Sequence, residues 1–268
     1  SMNSDRDRQG RIFLASPVHP DDLMVLARRY DNISWNPARK AVVASSQMRL
    51  GSLVLAEKPL NGVPRERVLS IICEAAQKEG QSMFEFSEDV LDYQRRVAFV
   101  ASRHPEIELP ELDTASVLGM VEEWLPAFAG RASSAVELKK IDMVQVLRSL
   151  LSYSQQETVD RLAPSHLEVP TGSRIRLEYR QGTEAPVLRV RLQECFGLLD
   201  TPRVDGGRVP VLMELLSPGY KPVQLTSDLR SFWSGTYFEV RKELRRRYPK
   251  HSWPDDPLAA EAVRGVRH

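Results

Sequence analysis

Between Leu225 and Pro257 the apolar residues fall at Trp233, Tyr237, Val240, Leu244 and Tyr248, the spacing of one helix face. Thr226, Ser227 and Asp228 stand where side chains cap the free N–H groups of a helix start. Pro249, Pro254 and Pro257 forbid continuation, so an extended tail carrying Lys250, His251 and Trp253 should follow. The N-terminal pattern is different. Arg11 to Val18 reads as a strand, and Asp21-Asp22 then begin a helix with Leu23, Leu26, Ala27 and Tyr30 on one face. Ile33 and Trp35 alternate in a strand, and Asn36-Pro37 supply a turn. Strands at Ala41–Ser46 and Arg49–Glu57 follow, with Gly51 as a bulge.

From Pro64 to Ala163 the period is helical. Pro64 suits a first helical position, Val68, Leu69, Ile71, Ile72 and Ala75 form a stripe, and Gly80 ends it. Ser87 caps a helix with Val90, Tyr93, Val97 and Val100 inward. Asp113 caps one with Val117, Met120, Val121, Trp124 and Phe128 inward, which Pro126 kinks or ends. Ser134-x-x-Glu137 and Ser154-x-x-Glu157 have capping-box spacing, and the last helix ends near Leu162. After Leu167, Ile175, Leu177 and Tyr179 alternate with charged residues, as do Leu188, Val190 and Leu192. The stretch Gln181–Pro186 turns between them, so this is a hairpin with one buried face. Gly206-Gly207 reads as a turn joining two strands, and Ser217-Pro218-Gly219 as another. The closing helix has this sheet as its nearest packing surface.

These elements predict an α+β fold. Positions 1–10 are polar, open on Ser1-Met2, and read as a cleaved tag or linker, the way a C-terminal fragment cut at a linker would begin. Residues 11–60 form a β-rich part and 61–163 a helical region. Residues 164–268 form a C-terminal unit with an antiparallel sheet, a basic closing helix and an extended tail.

Forty-two per cent apolar and 27% charged residues describe a globular chain. No apolar stretch approaches the roughly eighteen residues that cross a bilayer, and no hydrophobic leader is visible, which predicts a cytoplasmic location and no membrane partner. Cys73 and Cys195 both sit in apolar patterns and read as reduced core residues, with a disulfide as the alternative. The net charge of +1 hides an asymmetry. Residues 1–164 carry 20 Lys and Arg against 23 Asp and Glu, whereas residues 165–268 carry 17 against 13. Local density, rather than the total, sets attraction to phosphate.

That density has two centres. Arg174, Arg176, Arg180, Arg189 and Arg191 share the outer face of the predicted hairpin. Like charges facing each other cost stability, and solvation, a bound anion, or the flanking Glu168, Glu184 and Glu194 would offset it. Arg241, Lys242, Arg245, Arg246, Arg247 and Lys250 crowd the end of the closing helix, where cations also favour the helix itself. Both clusters are candidate nucleic-acid contacts. Trp253 has two readings: stacking on a base, or anchoring the tail by packing, which a proline-stiffened tail favours. Phosphate-loop chemistry is missing, since no G-x-x-x-x-G-K-[ST] occurs. His104 and His166 lack partners at zinc-ligand spacing, and no hydrolase constellation is visible.

The closing helix with RRRYPKHSWPDDP, together with Ala163–Tyr179, Val190–Val204 and Gly206–Asp228, closely resembles the C-terminal domain of the HrpB-type bacterial ATP-dependent helicases of the DEAH/RHA group. Arg49–Leu60 and the helices after it are similar more loosely. The resemblance implies a C-terminal accessory region whose two motor domains lie elsewhere in the same polypeptide and form its partner. ATP and magnesium belong to those domains; this chain is expected to hold no cofactor and to catalyse nothing alone. It would contact nucleic acid, RNA in this family, or regulate the motor. The group carries an oligonucleotide-binding barrel near residues 11–60, of which this chain shows at most part. The rival reading is a protein-interaction module that never touches nucleic acid.

Overall fold

The computed structural model describes residues 19–180 and 185–265. The polar opening, the strand read at 11–18 and most of the turn at 181–186, Glu184 included, lie outside the described residues. Helix α1 (Pro20–Leu26) stops earlier than its apolar pattern suggests, and Tyr30 belongs to the first strand. Strands β1 (Arg28–Asn36), β2 (Ala41–Leu50) and β3 (Leu53–Pro59) form an antiparallel meander in that order. Gly51 carries the β2–β3 turn at φ +60°, a backbone state glycine takes without penalty; the register shift lies instead at Met48/Arg49. Because β3 ends opposite Ser45, the start of β2 has an open edge. Ser133 and Ala135 fill it: Val42 N donates to Ser133 O (2.8 Å) and Ala135 N to Lys40 O (2.8 Å). Trp35 Nε1 also donates to Glu79, and the sheet is thereby fixed to the helices.

The helical region comprises α2 (Arg65–Glu79), α3 (Glu88–Arg103), α4 (Thr114–Gly119), α5 (Val121–Phe128), α6 (Ala135–Leu138), α7 (Met143–Ser149) and α8 (Tyr153–Leu162). Pro64 is the N-cap of α2 rather than its first helical residue, and Gly80 ends it as expected. Ser87 occupies the N-cap of α3 without a side-chain bond. Asp113 caps α4 through Ala115 N and Ser116 N, but the helix breaks at Met120 before α5. Ser134 and Glu137 form the predicted capping box. The second box is Ser152 with Gln155, two residues before the spacing that points to Ser154, and Asp142 opens an additional helix, α7.

The C-terminal sheet runs β10-β9-β6-β5-β4. Its strands are β4 (His166–Glu168), β5 (Arg174–Glu178), β6 (Val187–Arg191), β9 (Leu212–Leu216) and β10 (Pro222–Thr226), while β7 (Arg203–Val204) and β8 (Val209–Pro210) form a separate small hairpin. Leu177 faces Leu188 in the predicted β5–β6 hairpin. All pairs are antiparallel except β6–β9, which the chain reaches by crossing over through residues 192–211. The closing helix is two helices, α9 (Leu229–Ser234) and α10 (Tyr237–Arg247), separated at Gly235. Phe196, Phe232, Trp233 and Tyr237 pack as an aromatic cluster with ring centroids 4.9–6.3 Å apart. Trp233 Nε1 donates to Leu198 O (2.7 Å), which seats α9 on the segment following β6. One apolar core runs from Ile72 through Leu162 and Leu177 to Trp253, so helices and sheet fold as one body. Cys73 and Cys195 are buried free thiols, and burial pushes both thiol pKa values up.

Candidate nucleic-acid interface

Strand alternation buries Leu177 and Tyr179 and turns Arg174, Arg176, Glu178 and Arg180 to the other face. Arg176 reaches the start of α3, 2.8 Å from Asp89 and 3.8 Å from Asp92. Arg189 lies 2.8 Å from Glu214 on the neighbouring parallel strand and 3.9 Å from Glu178, which also holds Arg180 (2.8 Å). Arg191 places Nε and Nη2 each 3.0 Å from Glu194 Oε1. Repulsion across this face is therefore relieved inside the fold, by acids from α3, β5, β9 and the turn after β6. Glu194 is a neutraliser that the sequence itself suggests, whereas Asp89 and Glu214 come from distant segments. Among the described residues, Arg174 is the hairpin arginine that remains exposed without a polar partner.

Helix α10 buries Tyr237 and Leu244 against the core. Arg241, one turn from both, bends over the tail: its Nε donates to Trp253 O (2.9 Å) and its Nη2 to Asp255 (2.5 Å). Trp253 is only 8% exposed, and its Nε1 donates to Tyr248 O (2.8 Å). The ring is a packing anchor and offers no face to a base, which corrects its place among the nucleic-acid candidates. Arg241 is likewise a tie between helix and tail. The remaining cations of the cluster, Lys242, Arg245, Arg246, Arg247 and Lys250, are exposed and have no polar partner among the described residues. They surround the end of α10, where the helix dipole accounts for part of their clustering.

The two basic regions meet through the β9–β10 turn. Ser217 Oγ lies 3.5 Å from Tyr248 Oη at the end of α10, and Gly219 leaves room for that hydroxyl, which would meet an added Cβ at 2.7 Å. Just beyond Gly219, the Tyr220 ring lies under the Arg191 guanidinium, 5.2 Å from carbon to centroid. A separate groove of about 690 Å³ runs between α3, residues 109–114 and the β5–β6 hairpin, lined by Phe99, Leu112, Tyr179 and Pro186 but by none of the α10 cations. Among the described residues, no three His, Cys, Asp or Glu side chains converge as metal ligands, and no helix is long and apolar enough to cross a membrane.

Residues 124–257 match the family described as ATP-dependent helicase C-terminal, and residues 26–60 match the connector region of the ATP-dependent RNA helicase HrpB. The first match begins inside α5 and so takes in part of the helical region; the second covers the β1–β3 meander. Over 261 residues the chain is 36% identical to the ATP-dependent RNA helicase HrpB of Escherichia coli (strain K12), covering 96% of this chain and 32% of that protein. The crystal structure of the E. coli DExH-box NTPase HrpB superimposes with a TM-score of 0.73 at 36% identity, over 95% of this chain and 32% of the other. That of the E. coli DEAH/RHA helicase HrpB gives a TM-score of 0.64 at 34% identity, over 85% and 29%. The chain thus spans about a third of the length of these relatives.

Proposed function

The chain belongs to the HrpB family of ATP-dependent helicases, and from that premise we propose that it is an accessory region that holds nucleic-acid backbone on the free cations of α10. One observation carries the reading. Among the described residues, Lys242, Arg245, Arg246, Arg247 and Lys250 stand exposed without acidic partners, whereas the hairpin arginines other than Arg174 are occupied within the fold. Cations arranged this way meet phosphates without reading bases. In the whole protein, motor domains of the same polypeptide would bind ATP and magnesium, and hydrolysis would drive movement on, or remodelling of, RNA. A cytoplasmic location belongs to the same proposal.

A second reading has its own observation. Val25 (85% exposed), Leu26 (67%), Leu53 and Val54 present apolar surface on α1 and β3. Such surface fits a protein partner, with the motor domains of the same polypeptide as the first candidate. Titrating labelled single-stranded RNA against the protein over a range of salt tests the main reading, since phosphate contacts make affinity fall with salt. Absence of salt-dependent binding at low ionic strength hands the function to the interaction module.

A further inference from the structure

We propose that Tyr220 is a base-stacking residue that gives this surface its preference for single-stranded nucleic acid. The inference rests on the reading of α10 as a phosphate contact and adds a base contact to it. Tyr220 occupies the tip of the β9–β10 turn with 64% of its surface exposed. Its backbone lies at φ +59°, a left-handed state uncommon for a bulky side chain. The turn holds it there: Tyr220 N donates to Ser217 O (2.9 Å), Ser217 N to Lys221 O (2.8 Å) and Lys221 N to Ser217 Oγ (3.1 Å). Strain of this kind persists only where its surroundings enforce it, and it gathers at ligand-binding positions.

The ring is also held. Arg191 covers one face at 5.2 Å and is itself fixed by Glu194, which is buried and additionally accepts from Thr171 Oγ1 (3.0 Å). With the cation near one face and most of the residue exposed, the ring offers an accessible aromatic plate. The turn touches Tyr248, the residue that follows Arg247 and precedes Pro249-Lys250, so the plate sits beside the end of the cationic helix. Phosphates on α10 would place an adjacent base within reach of the ring. Stacking accepts every base but needs it unpaired, so the surface favours single strands over duplex and does so without sequence preference. The buried Trp253 cannot serve this purpose; Tyr220 can.

The test compares the parent protein with Tyr220→Ala, Tyr220→Trp and the phosphate-contact variant Lys242→Gln/Arg245→Gln/Arg246→Gln. Each is titrated with oligouridylate, oligothymidylate and an RNA duplex, and folding is checked by thermal melting. Tyr220→Ala should bind both single strands about tenfold more weakly, with the same salt slope and unchanged duplex affinity. Tyr220→Trp should restore binding, and 5-bromouridine in the single strand should photocrosslink to Tyr220. Unchanged single-strand affinity in folded Tyr220→Ala, alongside a loss in the triple variant, overturns the stacking role and leaves the phosphate reading standing. Equal loss on duplex and single strands overturns it too, because the residue then acts through the turn. A parent protein with no salt-sensitive binding removes both readings together.

Discussion

His104 and Asp205, 101 positions apart, meet with Nε2 2.5 Å from Oδ1. His104 closes the end of α3, and Asp205 sits in the β7–β8 hairpin at φ +55°, its amide donating to Leu162 O (2.8 Å) at the end of α8. The contact therefore ties the helical region to the C-terminal unit at a point where both partners are buried. Glu106 Oε1 lies 3.1 Å from the other ring nitrogen, and the Arg208 guanidinium stands 3.4 Å from Nε2 as the opposing charge.

Hydrogen bonds to Asp205 first and to Glu106 second hold the His104 pKa above its ordinary value, against burial, which lowers it. A raised folded-state pKa stabilises the fold fully below the unfolded value of about 6.5 and loses that stabilisation as pH rises through the folded value. The melting temperature gap between the parent and His104→Gln should thus be wider at about pH 6 than above pH 8. A gap that is constant or grows with pH would show the imidazole to be neutral in the fold.

Arg96 is the second long-range tie. Its side chain is buried on α3, where Nε donates to Ala163 O (2.6 Å) and Nη2 to Asp160 (2.7 Å), which Arg148 also holds (2.8 Å). Arg96→Met keeps the apolar stem but strands the Ala163 carbonyl and half-frees Asp160. Hydrogen bonds involving a charged group contribute about 1.5–3 kcal/mol, so urea unfolding should show a loss of about 2–3 kcal/mol with one cooperative transition. Two separated transitions would mean that helices and sheet do not share a core.

The tail should behave as part of the fold. Trp253→Ala removes a buried ring and should cost about 3–5 kcal/mol. Arg241→Gln gives up the bonds to Trp253 O and Asp255 and should lower the melting temperature while leaving the salt slope of RNA binding unchanged. A reduced slope with unchanged stability would return Arg241 to the phosphate-contacting set.

Local features are legible where one segment decides them. The Asp113 cap, the Ser134–Glu137 box, the β5–β6 hairpin and the inward face of α10 each follow from residues a few positions apart. Features set by distant segments are not. Nothing near Arg189 announces Glu214, because the parallel β6–β9 pair that joins them forms only after the chain crosses over. Arg176 finds Asp89 across a tertiary contact in the same way. A cluster of arginines on one hairpin face thus looks like an anion site in sequence and, Arg174 apart, is paired within the fold. Lys242, Arg245, Arg246 and Arg247 keep their legibility because no other described segment brings acids to them, as the tail's Asp255 does to Arg241. Trp253 lies between these cases: the prolines around it favour packing and its bond to Tyr248 O spans only five positions, but the apolar core it enters is built from distant segments.

That difference makes α10 the decisive place for a charge-removal experiment. Lys242 and Arg246 lie one turn apart on the side away from Leu244, with Arg245 beside them, and all three are exposed. Replacing them with Gln keeps helix propensity near its starting value and touches no ion pair, so the melting temperature should change little. Removing one phosphate-neutralising cation should reduce the log–log salt slope by about 0.7 on single strands, because fewer condensed counterions are released. Removing all three would therefore flatten the slope by about 2, equally for every RNA sequence. Replacing Arg189 and Arg191 instead should disturb Glu214 and Glu194 and appear in stability before it appears in the slope. If the hairpin variant flattens the slope and the α10 variant does not, the phosphates lie across the sheet face, and the internal pairs described there open on binding.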